Sequence, residues 1–198
     1  MPREVARRVF VLATVLGLAA GCSTPPPRPS FPDLRFTAQP PIQLNVARID
    51  VVTAYQAPFR PPNVEHSFPV TPAHAMENWA HDRLKAVGTS GRAVFSIRNA
   101  SVIETELPRT TGIQGALTTE PSQRYDLALE ANVQIVDDKG LEARSATVQS
   151  SLSKSVLEGI TPNDRETAWY GMVKDAMANF DGQMEREIRN NFGPAFVQ

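Results

Sequence analysis

Cysteine is nearly absent from this 198-residue chain: Cys22 is the only one. An internal disulfide is therefore excluded in any compartment. Histidine is scarce as well, with only His66, His74 and His81. His74 and His81 fall two turns apart on one predicted helix, whereas helical zinc ligands pair at spacings of three or four, so no metal or other cofactor is expected. Long hydrophobic runs are missing. The most apolar stretch, Val9 to Ala20, is far shorter than the roughly 20 residues that cross a bilayer as a helix. A dominant charge is missing too, since 20 basic residues stand against 21 acidic ones. Phosphate binding needs clustered Lys and Arg, so nucleic acid is not an expected partner.

Signatures of catalysis are equally absent. Nothing matches a nucleophile elbow, a P-loop, an HExxH helix or a dinucleotide fingerprint. Ser150, Ser151, Ser153 and Ser155 crowd an edge-like strand with no His beside them to activate a hydroxyl. Glu104 and Glu106 stand two apart on one strand and share a side, but no aromatic sugar platform accompanies them, and they read as charge on an open face. The chain is expected not to be an enzyme.

What is present starts with Arg3, Arg7 and Arg8, which precede the apolar run, after which small residues lead into Cys22. That is a charged n-region, a short h-region and a processing site. Leu18, Ala19, Ala20, Gly21 and Cys22 resemble the lipobox of bacterial lipoproteins. The resemblance implies that residues 1–21 are a signal peptide removed just before Cys22 and that the cysteine thiol carries a diacylated lipid. A further acyl chain, typically palmitate, is implied on the new amino group. Several chains anchor firmly, because each buried methylene contributes about 0.8 kcal/mol. Ser23 occupies the place where Asp retains such proteins at the inner membrane, so the resemblance also implies the outer membrane, with the body on its periplasmic face.

Residues 22–41 are proline-rich and read as a tether of polyproline II character. A single domain is expected over 42–198. Ile42, Leu44 and Val46 alternate, then Ile49 and Val51 continue in the opposite phase, which predicts a strand with a bulge near Ala47 and Arg48. Five prolines between Ala57 and Pro72 exclude a helix or central strand there and predict an irregular surface loop. Thr71-Pro72 is a helix start, with Met76, Trp79, Ala80, Leu84 and Val87 on one face, Glu77, Asp82, Arg83 and Lys85 on the other, and Gly88 as the stop. A long strand that slips phase follows over Arg92–Leu107. The loop from Pro108 to Pro121 carries a small apolar group, Ile113, Ala116 and Leu117, which could fold under the domain or insert into a partner.

Tyr125 to Ile135 alternates without a fault and predicts a strand with one dry and one wetter face. Asp137 to Gly140 is a hairpin turn, and the serine-rich return strand suits an edge. Thr161-Pro162 opens a second helix, whose stripe runs from Trp169 through Val173, Ala176, Met177, Phe180, Met184 and Ile188 to Phe192. The predicted class is α+β, in the order β-α-β-β-β-α: an antiparallel or mixed four-stranded sheet with two helices packed on one face. With the lipobox and tether in front of it, this order is similar to the small α/β outer-membrane lipoproteins that serve envelope transport, of the lipopolysaccharide-assembly or ABC-transport auxiliary type. That resemblance implies an accessory or binding subunit with an envelope protein as partner. The alternative is a tethered small-ligand-binding or hydrolytic domain, with its pocket between the sheet and the loops 57–72 and 108–121.

Overall fold

The computed structural model describes residues 29–110 and 119–197, so the expected signal peptide, Cys22 and the loop residues Ile113, Ala116 and Leu117 lie outside the described residues. The strand with faultless alternation is β5 (Pro121–Val136). It sits inside a four-stranded sheet ordered β2-β4-β5-β6, with β2 at Arg48–Thr53, β4 at Arg92–Glu106 and β6 at Glu142–Leu157. The β4-β5 and β5-β6 pairs are antiparallel and β2 runs parallel to β4, which makes the sheet mixed. Serine-rich β6 is an edge strand, as expected. The phase slip in β4 is a register shift between Ile97 and Asn99, and it keeps Ala93, Phe95, Ile97, Ala100 and Val102 all on the buried face.

Two helices cover that face. α1 (Pro72–Arg83) and α2 (Pro162–Phe192) each begin at a proline, and Thr71 and Thr161 accept the first free N–H groups from His74 and Asp164, so the cap satisfies a donor that the first turn leaves unpaired. The rings of Trp79 from α1 and Phe180 from α2 meet at 5.2 Å, and both lie against Phe95 of β4. The core is thus one layer between helices and sheet. No helix among the described residues is long and apolar enough to cross a membrane.

Three expectations change in detail. The first strand is not a bulged continuum: β1 (Ile42–Leu44) pairs in parallel with a short β3 (Leu84–Ala86) in a second, two-stranded sheet, while β2 joins the main one. The reversal of phase after Val46 marks the crossing from one sheet to the other. α1 stops at Arg83 instead of reaching Gly88, because Leu84 to Ala86 find strand partners on β1. Gly88 serves a different need. A Cβ there would lie 2.6 Å from the carbonyl carbon of Asn45 and 2.7 Å from the nitrogen of Val46, so only glycine allows the two crossings to touch. Finally, Arg83 is not on a wet face but fully buried.

The described part of the expected tether, 29–41, lies against the body. The Phe31 ring packs on Tyr170 of α2 with centroids 5.3 Å apart, and Leu34 joins the core. Arg35 forms an ion pair with Asp82 of α1, whose carboxylate also accepts the Phe36 N–H at 2.9 Å. The Pro40 carbonyl accepts from Arg83. A proline-rich sequence keeps its backbone extended, but it holds Phe31, Leu34 and Phe36 as side chains able to pack.

Candidate functional site

A concave apolar site forms where β2 ends. Ala54 and Tyr55 donate their N–H groups to the Ile97 carbonyl at 2.9 and 3.1 Å, which fixes Tyr55 beside the β4 register shift. Beyond that shift β2 no longer covers β4, and the proline-rich loop takes its place. Glu104 N–H donates to Pro62, Val64 N–H donates to Val102, and Asn63 bridges to Ile103. A loop that lies along an open strand edge satisfies the edge and blocks further pairing. Glu65 completes the join. It is 2 % exposed; one carboxylate oxygen accepts the Val102 N–H at 3.2 Å and the other accepts the Tyr55 hydroxyl at 2.6 Å. Burial, reinforced by the neighbouring carboxylate, pushes the Tyr55 phenol well above its ordinary pKa of 10.0. The loop expected to be an irregular surface is therefore half interior, with Glu65, Phe68 and Val70 buried.

Between this loop, the start of α1 and Ala100 of β4 lies a half-open cavity of about 240 Å³. Its walls are Ala57, Pro72, Ala73 and Ala100, with Tyr55 and Glu65 at the back and Phe59 and His66 at the mouth. Phe59 is 73 % exposed and has φ 54°, a left-handed conformation that bulky residues seldom adopt. Its ring lies 5.4 Å from that of His66. Pockets for drug-sized ligands occupy roughly 300–1,000 Å³, so this one suits a single small apolar group. Both Glu65 oxygens already accept a hydrogen bond within the protein, which leaves the walls to set the chemistry.

The other face of the sheet is open and polar. Ser101, Ala128 and Ser151 lie side by side across it, as do Ile103, Asp126 and Ser153. The Ser153 hydroxyl donates to Asp126 at 2.6 Å, and with Arg124 it holds that carboxyl below its ordinary value. Gln149 donates to Glu130, and the Asn132 amide donates to Ser145 and Thr147. A more open depression of about 410 Å³ on this face is lined by Asn99, Ala128, Glu130, Gln149 and Ser151.

The residues singled out in the sequence do not converge. Ser151, Ser153 and Ser155 line the open face, whereas Ser150 turns to the buried side. Glu104 is corrected: it pairs with Tyr125 on the helix side, and accepts the Tyr125 hydroxyl at 3.3 Å, because the register shift moves it off the open face. Glu106 stays exposed at the strand end. His66 is at the cavity mouth, while His74 lies 3.5 Å from Asp33 and 3.8 Å from Glu77 on the surface of α1. No three His, Cys, Asp or Glu groups among the described residues are placed to hold a metal ion. Trp79 is core, and its indole N–H donates to Asp181 at 2.8 Å. Trp169 is only half buried, stacked on Phe68 at 4.8 Å.

Tyr55, Phe59 and Glu65 carry no motif that would have drawn notice. Arg83 does carry a signal: it follows Met76 and Trp79 at the three-and-four spacing of the buried stripe. It meets Asp181 at 2.7 Å and Glu185 at 2.5 Å on α2.

No protein-family model matches the chain, and no curated protein matches it either. Several solved structures are similar to it. A candidate lipoprotein from Caulobacter crescentus CB15 is 12% identical, with 71% of this chain and 83% of that one covered at a TM-score of 0.33. A protein from Xanthomonas campestris, of the DUF330 family, is 9% identical, with 80% and 96% covered at a TM-score of 0.29. Likeness at this level carries no activity or site residue across.

Proposed function

We propose that this chain is a lipid-tethered, non-catalytic domain of the bacterial envelope. It is anchored at the outer membrane through Cys22, with its body in the periplasm, and serves as an accessory or binding subunit for an envelope protein in assembly or lipid transport. The observation that carries the reading is the position of the sole cysteine, directly after Arg3, Arg7, Arg8, the Val9–Ala20 run and Leu18-Ala19-Ala20-Gly21. The arrangement of buried charge supports it. Glu65 ties a loop to β4, and Arg83 ties two helices and the segment before β1. Both act as fasteners within the body. The test uses cells making the parent or Cys22→Ala, fed with labelled palmitate and treated with crosslinkers before membrane extraction. The parent should be labelled, stay with the outer membrane and recover a defined envelope protein, and Cys22→Ala should lose the label and the membrane. Label that survives the substitution contradicts the anchor. A parent that recovers no envelope protein across several crosslinkers contradicts the accessory role.

The cavity under Phe59 favours a second reading, a tethered domain that binds a small apolar ligand. Its test is saturable binding of benzene, a probe of the size the cavity holds, that Ala100→Phe abolishes while the protein stays folded. Probe binding unchanged by that substitution removes the reading.

A further inference from the structure

The segment that follows Cys22 does more than connect. Phe31 on Tyr170, Arg35 on Asp82 and Pro40 on Arg83 tie a strap to α1 and α2, and Leu34 joins the core. Asp33 stands 3.5 Å from His74 near the start of α1, while Arg35 reaches Asp82 near its end. The strap therefore runs along α1 on the helix side of the sheet. The chain joins the body there, on the face opposite the one that carries Ser101, Ala128 and Ser151.

We propose that the strap sets the domain on the membrane with its helix layer toward the lipid surface and the open polar face of the sheet turned away from it. The inference rests on lipid attachment at Cys22 and adds the orientation. Its basis is length. Nine residues of sequence lead from Cys22 to Phe31, and a chain of that length can reach at most about 30 Å when fully extended. To lay the open face on the bilayer, the leash would have to pass from the helix side round the edge of the sheet. Half the width of four strands is about 10 Å, and the depth of a helix layer on a sheet adds roughly 20 Å. The path of about 30 Å uses the whole leash, whereas the helix-down arrangement leaves it slack and so retains its conformational entropy. An open face free of the bilayer is then available to a partner.

The experiment uses the full lipidated protein in phosphatidylethanolamine–phosphatidylglycerol vesicles that carry an energy acceptor on the headgroups. The thiol of Cys22 is taken by lipid, so one introduced cysteine gives one label. Ala178→Cys places a donor on the exposed side of α2, and Ser151→Cys places one on the open face. Energy transfer from position 178 should exceed that from position 151 at least threefold. Insertion of twelve Gly/Ser residues after position 28 should bring the two within twofold. Equal transfer from the two positions in the parent, or stronger transfer from 151, overturns the orientation while the protein floats with the vesicles. A parent that fails to float overturns the lipid anchor itself, and the orientation with it.

Discussion

Glu65 is the residue on which the shape of the cavity depends, because its two oxygens hold two separate chain segments to one another. Glu65→Ala leaves the Tyr55 hydroxyl and the Val102 N–H without acceptors. Each unsatisfied buried donor costs roughly 1–3 kcal/mol, so the variant should lose about 3 kcal/mol in a denaturant titration; a loss below about 1 kcal/mol would show the loop to be held by its other contacts. Asp82 acts in the same way on the strap. Hydrogen bonds from Arg35 hold its carboxyl below the ordinary 3.8, and the Phe36 N–H adds to the effect. A carboxyl whose native pKa is depressed contributes stability above the unfolded value and loses it as pH falls through the native one. Thermal stability should therefore decline on acidification below about pH 4, and Asp82→Asn should flatten that part of the curve. An unaltered acid limb in the variant would count against the assignment.

At the scale of elements, the parts legible in the sequence are those fixed by local chemistry. Threonine followed by proline marks both helix starts, and Gly193, with φ 70°, closes α2 where the stripe ends. Alternation places β5, the slip at Ile97 places the register shift, and Asp137 accepts from Lys139 and Leu141 at the turn before β6. What is not legible depends on partners distant in sequence. Leu84 to Ala86 continue a helical pattern, yet β1 offers them a strand partner, and that pairing ends α1. Glu65 looks like a loop carboxylate until β4 lies beneath it. Arg83 looks like one more charge on a wet face until α2 supplies Asp181 and Glu185. Removal of the buried Arg83 leaves Asp181 and Glu185 uncompensated, and because both are partly exposed the cost falls at the lower end for such clusters, about 3 kcal/mol. Arg83→Ala should therefore lower the melting temperature by well over 5 °C, and Arg83→Lys should recover only part, because a single ammonium cannot span both carboxylates and the Pro40 carbonyl. A variant as stable as the parent would mean that the cluster does not join the helices.

For the whole molecule, the described body has one face committed to helices and strap and one face left polar and open. In the proposed reading the organising feature is an acylated thiol at Cys22, ahead of the described residues, and the strap translates its position into a direction. The proposed function depends, at this scale, on where the mature chain begins and what its first residue carries. Intact-mass and peptide mass spectrometry of the protein extracted from membranes measures both. Lipid attachment predicts an N-terminal peptide that starts at Cys22 and is heavier by a diacylglyceryl group and an amide-linked acyl chain. A mature protein that starts at any other residue, or at Cys22 with a free thiol, would contradict it.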